Sequence, residues 1–281
     1  MHHQTTLAKS ITYTGIGLHS GKNVTIVLRP AAAGTGIVFS RVDLPGAPRV
    51  AACAGNVTNT MRATTLEAGV AKVFTVEHLL AAMAALQLDN CLIEIDSVEP
   101  PVTDGSALPF IRLIEAAGME ELPELRPDDL FLKETVAIRY PDRFIAVLPY
   151  DGWRISFTSV NPHPLLGVQF ADFEIDAATF VREIAPARTI GFMHEVEALK
   201  AQGLALGGNL ENAVVYDETQ VLTPLRFSDE LVRHKILDVI GDLALAGRVR
   251  GHIVAFQSGH SLNTALARAV LDHTRQQGNA G

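Results

Sequence analysis

"TVEHLLAAMAALQLDNCLIEIDS" (residues 75–97) is the stretch on which the reading of this chain turns. Residues 75–88 are rich in strong helix formers, and Thr75 stands where a capping hydroxyl is favoured, so a helix is expected there. "NCLIEIDS" (90–97) is a short apolar run suited to a strand. "PPVTDGSALPFIRLIEAAG" (100–118) follows as a Pro/Gly turn opening a second helix. The same order recurs in "LVRHKILDVIGDLALAGRVRGHIVAFQSGHSLN" (231–263): a helix over about 229–246, a loop, the strand "GHIVAFQS", a Gly/Ser turn and a last helix from Asn263. Each first helix carries a histidine near its start. The repeat predicts two α+β domains of like topology, with His78 and His234 in equivalent positions and a site where the halves meet.

Outward from these two stretches, residues 1–50 alternate short apolar runs with Gly, Pro and Ser turns and read as strands. "LPELRPDD" (122–129) breaks the pattern with two prolines and clustered charge. It is read as a junction between domains 1–126 and 127–281. Beyond it, "ETVAIRY", "RFIAVLPY" and "RISFTSV" read as strands, and residues 179–218 as strand, helix, Gly-rich turn and strand.

Composition bounds the function. The 281 residues are 48% hydrophobic and 19% charged, enough for a substantial core. Acidic residues outnumber basic ones 31 to 23, for a net charge of −8, and no basic block offers a nucleic-acid footprint. Cys53 and Cys91 are too few and too far apart for a disulfide framework or a thiolate zinc site, which fits a reducing compartment. With no apolar run of signal-peptide or membrane-span length, a cytoplasmic protein is expected.

The polar residues of "VRHKILDVIGD" (232–242) carry the chemistry. At roughly 100° per residue, His234, Asp238 and Asp242 drift by only about 40° per step and share a helix face. An i, i+4 His–Asp pair suits two ligands of one metal, although the same spacing also makes an ordinary surface pair. His78 is the candidate third ligand. Two histidines and a carboxylate with an open fourth position form a hydrolytic zinc site, and Glu77 beside His78 is then set to take a proton from water. Alone, "TVEH" also reads as an acid favoured by the start of a helix. His260 of "SGHSLN" (258–263) lies on a Gly-flanked turn, and Asp242 is placed to orient it and keep it protonated. Such a cation stabilises an oxyanion and then protonates a leaving amine. Lys235 suits a phosphate or a polarised carbonyl, or else a solvated helix face. The same ligand pattern also serves non-haem iron oxygenases, and a non-catalytic sugar-nucleotide or lipid-binding protein is a further alternative. His19 in "GLHSGK" and His163 in "NPHPLLG" are read as structural.

Together with "GIGLHSGK", "PVTDGSALPF", "ARTIGFM" and "GLALGGNLENAVV", these stretches resemble the zinc-dependent UDP-3-O-acyl-N-acetylglucosamine deacetylases of Gram-negative lipid A synthesis, over nearly the whole chain. The resemblance implies a sandwich of helices packed between sheets, each domain with a small insert. It puts one zinc, with iron as an alternative in the cell, on His78, His234 and Asp238. It makes Glu77 the general base, His260 the cation with Asp242 behind it, Lys235 a substrate contact, and Thr189 a hydroxyl on the reacting carbonyl oxygen. The second insert, near 188–220, is implied to form a passage for the acyl chain. Ile190, Phe192, Val196, Leu199 and Leu204 are expected to line it. The implied partner is a small acylated UDP-sugar, the implied state a monomer. Two departures stand out: Ile190 replaces an aromatic of the family pattern, and Ala63 stands where some relatives carry a cysteine.

Overall fold

Alternation of side chains builds the sheets. In Asn23–Pro30, Val24, Ile26 and Leu28 all turn inward and are buried, while the residues between them face outward. The structure, a computed structural model, describes residues 2–278. Its first large sheet has the strand order Ile11–Ile16, Asn23–Pro30, Cys91–Ile95, Ile37–Arg41, Arg49–Ala51. The second has Val136–Arg139, Phe144–Leu148, Val249–Phe256, Trp153–Asn161, Gly167–Glu174, with Leu130–Phe131 added beside Val249–Phe256.

The two sheets have one topology. In each, the central strand is antiparallel to one neighbour and parallel to the other, and each neighbour is half of an antiparallel pair. In each, the central strand follows a buried helix. Those helices are α1 (Glu77–Ala85) in the first half and, in the second, α5 (Glu230–Leu243). The helix after the central strand is α2 (Leu108–Ala117) in one half and α6 (His260–Gly278) in the other. The repeat expected from the sequence is present in the fold, and the protein is α+β with helices between sheets.

Both helices at the centre of the sandwich are buried on nearly every side, as apolar residues around a whole helix require. Alanines make α1 slim. Gly241 lets α5 press against its first turn, since a Cβ there would overlap the backbone of Glu77. That approach brings the start of α1 against the C-terminal part of α5. One continuous apolar core then runs through both halves.

Each half has its insert. The first is a three-stranded antiparallel sheet of Val57–Asn59, Thr65–Ala68 and Ala71–Phe74. The second pairs Ile190–Phe192 in parallel with Val214–Tyr216, joined through α4 (Met193–Ala201).

Four local expectations are corrected. Thr75 does not cap α1: its backbone is left-handed, with φ 56°, and its hydroxyl donates to buried Glu99 at 3.2 Å. The irregular stretch at 122 begins as strand, because Met119–Leu125, a largely exposed strand that tolerates Pro123, pairs with His3–Leu7. Residues 177–184 are helical turns, α3 (Ala177–Thr179) and a π turn, capped by the Asp176 side chain; the strand begins only at Ile190. The last helix starts at His260, three residues before Asn263, so this histidine opens the helix.

Candidate metal centre and active site

The second residue of α1 and two residues one turn apart on α5 converge where the helices touch. His78 Nε2 lies 3.7 Å and His234 Nε2 3.6 Å from Asp238 Oδ1. All three side chains are buried, and their ligand atoms lie within 4.8 Å of one another. His234 Nδ1 donates to the Ala187 carbonyl at 3.1 Å, which leaves the Nε2 lone pair facing the carboxylate. Burial pushes the His234 pKa down to about 3, so the ring is neutral. Burial also works against a charged Asp238, yet the Lys235 ammonium and the nearby histidines hold it well below the usual carboxylate range. Its Oδ2 accepts from Lys235 Nζ at 2.9 Å, but buried Oδ1 has no hydrogen-bond partner. An ionised, buried oxygen with no hydrogen-bond partner, facing two imidazole nitrogens, is a strong demand for a cation. The set fits a metal with nitrogen and oxygen ligands.

A second cluster adjoins the first along both helices, one residue away on α1 and one turn away on α5. Glu77 Oε2 accepts from the Thr64 backbone N–H at 3.0 Å, and its Oε1 lies 4.0 Å from His260 Nε2. Burial pushes the Glu77 pKa up, which makes its carboxylate a better proton acceptor. His260 donates from Nδ1 to Asp242 Oδ2 at 2.9 Å. Burial opposes its charge, but Asp242, Glu77 and Asp238 together raise its pKa to about 10. Asp242 is wholly enclosed. Thr64 Oγ1 donates to its Oδ1 at 2.6 Å and Asn263 Nδ2 to its Oδ2 at 2.9 Å. The Asp242 carboxylate is satisfied without an ion.

Both clusters open into a cavity of about 620 Å³ that runs beneath the second insert. Glu77, His78, His234, Lys235, Asp238 and His260 form its polar end, and Thr189 joins them. Ile190, Phe192, Val196 and Leu199 line the apolar part. Leu204 does not reach it. Gly203, at φ 73°, turns the chain so that the Leu204 N–H closes on the Leu199 carbonyl at 2.8 Å, and Ala205 takes the place in the wall. Asp242 also stays out of the cavity, behind His260.

Sequence reasoning missed several neighbours. Leu210, Ala213 and Val215 complete the apolar wall, and Arg143 is also in the lining. His19, read as structural, is buried in the cavity wall, and its Nε2 has no hydrogen-bond partner. His163 is structural: its ring bonds the Asp217 carbonyl at 2.6 Å and packs on Tyr216. Thr64 carried no spacing signal, because it lies 178 residues from the carboxylate it contacts.

A family model described as UDP-3-O-acyl N-acetylglycosamine deacetylase matches residues 4–272. A UDP-3-O-acyl-N-acetylglucosamine deacetylase of Geobacter sp. (strain M21) is 47% identical over 271 residues, covering 95% of this chain and 88% of the relative. The protein of the same name from Pasteurella multocida is 47% identical over 275 residues, with 95% and 90% covered. That from Myxococcus xanthus is 46% identical over 273 residues, with 96% and 87% covered. Among the described residues no helix is long and apolar enough to cross a membrane.

Proposed function

The chain belongs to the UDP-3-O-acyl-N-acetylglucosamine deacetylase family, a family of deacetylating hydrolases, and from that premise we propose how its own residues carry the reaction. Membership sets aside the oxygenase and the non-catalytic readings of the ligand pattern. The substrate is UDP-3-O-(3-hydroxyacyl)-N-acetylglucosamine, and the products are acetate and the free 2-amino sugar nucleotide, the committed step toward lipid A. The enzyme works in the cytoplasm as a monomer. Its two domains divide at residue 126, and the site lies between them.

His78, His234 and Asp238 hold the metal, which is zinc, with iron able to take its place in the cell. The observation that carries this assignment is the unpartnered Asp238 Oδ1 between two imidazole nitrogens. When bound, zinc supplies Lewis-acid polarisation of the acetamide carbonyl and makes water more acidic. Glu77 takes the proton of the attacking water. Its confinement by the Thr64 N–H keeps the accepting oxygen turned toward the cavity. His260, protonated at neutral pH, faces the developing oxyanion together with the Thr189 hydroxyl; one such donor is worth about 3 kcal/mol at the transition state. Asp242 fixes the ring and its charge. The proton reaches the leaving amine from His260 or from Glu77, the two groups that hold one within reach. Lys235 steadies Asp238 and contacts the sugar nucleotide at the polar end. The acyl chain lies along Ile190, Phe192, Val196 and Leu199, where its burial replaces contact with water.

Acetate release from the acylated UDP-sugar, measured before chelation, after it and after zinc is returned, tests the reading. Activity that disappears and comes back is expected. Protein that binds about one zinc per chain yet releases no acetate from this substrate would contradict it.

A further inference from the structure

Asp242 raises a question that the reaction scheme leaves open: what holds a fully buried carboxylate still enough to aim the histidine in front of it? His260 and Asn263 both donate to Oδ2 and both belong to α6. Asn263 is itself oriented, because its Oδ1 accepts from Ser258 Oγ at 2.6 Å, which turns its amide nitrogen toward Asp242. Two donors on one oxygen leave the carboxylate free to swing about that oxygen. The third donor stops the swing. It is the Thr64 hydroxyl, at 2.6 Å from Oδ1, and it comes from the other half of the chain.

Thr64 has a second contact. Its backbone N–H donates to Glu77 Oε2 at 3.0 Å. The residue is wholly buried, directly before the strand Thr65–Ala68. One residue therefore fixes the base through its main chain and the carboxylate behind the cation through its side chain. The separation of Glu77 Oε1 from His260 Nε2, 4.0 Å, is set by that double hold. We infer that Thr64 is a positioning residue of the deacetylase, acting through Asp242 to keep His260 aligned with Glu77. The inference rests on the deacetylase reading above.

Thr64→Val keeps the shape and the N–H and removes only the hydroxyl. It leaves Asp242 Oδ1 buried without its donor, and partners of this kind typically cost about 10- to 100-fold when removed. The expected result is a kcat lowered by about that factor, with KM changed less than about twofold and bound zinc unchanged. Thr64→Ser should restore most of the rate. In an Asp242→Asn background, adding Thr64→Val should cost little more, because the group through which Thr64 acts has already lost its charge. Independently of substrate, the His260 Nδ1–H proton should give a slowly exchanging downfield NMR signal that Thr64→Val broadens and Thr64→Ser retains. If the valine variant does not fold, Thr64→Ala against Thr64→Ser reads the same contrast. The inference is overturned by wild-type kcat in Thr64→Val, by a serine variant as slow as the valine one, by losses that multiply with Asp242→Asn, or by an NMR signal indifferent to the hydroxyl. Wild-type protein that releases no acetate would instead count against the deacetylase reading, and the NMR comparison would still decide the role of Thr64.

Discussion

Two clusters of histidine and carboxylate lie side by side in this protein, drawn from neighbouring positions of α1 and α5, with His260 of α6 added to the second. His78, His234 and Asp238 make one; Glu77, Asp242 and His260 make the other. Composition alone does not separate them. Hydrogen bonding does. In the first, Asp238 Oδ1 is buried and unpartnered, and the nearest histidine nitrogens stand 3.6 and 3.7 Å away. In the second, three donors satisfy Asp242. An unmet buried charge marks the place of an ion, whereas a met one marks a carboxylate that works on its neighbour. The same contrast appears in the histidines: burial drives His234 down to about 3, while three carboxylates lift His260 to about 10. One ring is kept as a lone-pair donor, the other as a cation.

If the clusters divide the labour in this way, their variants must fail differently. The largest effect is expected for Asp238→Ala, which removes a ligand and should lose bound zinc and acetate release together. Zinc content by atomic absorption checks it. Glu77→Ala follows: the metal stays and kcat falls by about a hundredfold or more, the range of a general base. His260→Gln should lower kcat by about a hundredfold, near the 3 kcal/mol of a lost oxyanion donor. It should also change the pH profile. A raised pKa means that His260 is charged below that value and loses its charge as pH climbs toward about 10, so the wild-type rate falls on the alkaline side. That descending limb should be missing from His260→Gln. The smallest effect belongs to the passage. Leu199→Ala removes apolar wall, and a loss of about 1 kcal/mol should raise KM roughly fivefold with kcat little changed.

Much of this was legible in the sequence because helix periodicity is short-ranged. His234, Asp238 and Asp242 could be put on one face from spacing alone, and the repeat of helix, strand, turn and helix correctly anticipated two sheets of one topology. What spacing could not reveal was contact between distant segments. Gly241 looks like a weak point inside a helix, and only the packed fold explains it as the place where Glu77 is brought in. Thr64 sits in a run with no period, Asn263 at the start of a helix, and the value of both lies in reaching one buried carboxylate. Thr75 had the residue type of a cap but was claimed by Glu99, a buried acid that also takes the His19 and Ser20 backbone N–H groups. Leu204 had the right character for the passage wall, and a single positive-φ glycine turned it away. In each case a tertiary hydrogen bond or turn overrode a sound local preference.

The most direct test of the division between the clusters is to measure bound zinc and kcat on the same preparations of Glu77→Ala and Asp238→Ala. The account predicts full zinc and a rate about a hundredfold or more below wild type for Glu77→Ala, and neither zinc nor activity for Asp238→Ala. Zinc retained by Asp238→Ala and lost by Glu77→Ala would contradict it, because the metal would then sit in the cluster that needs none.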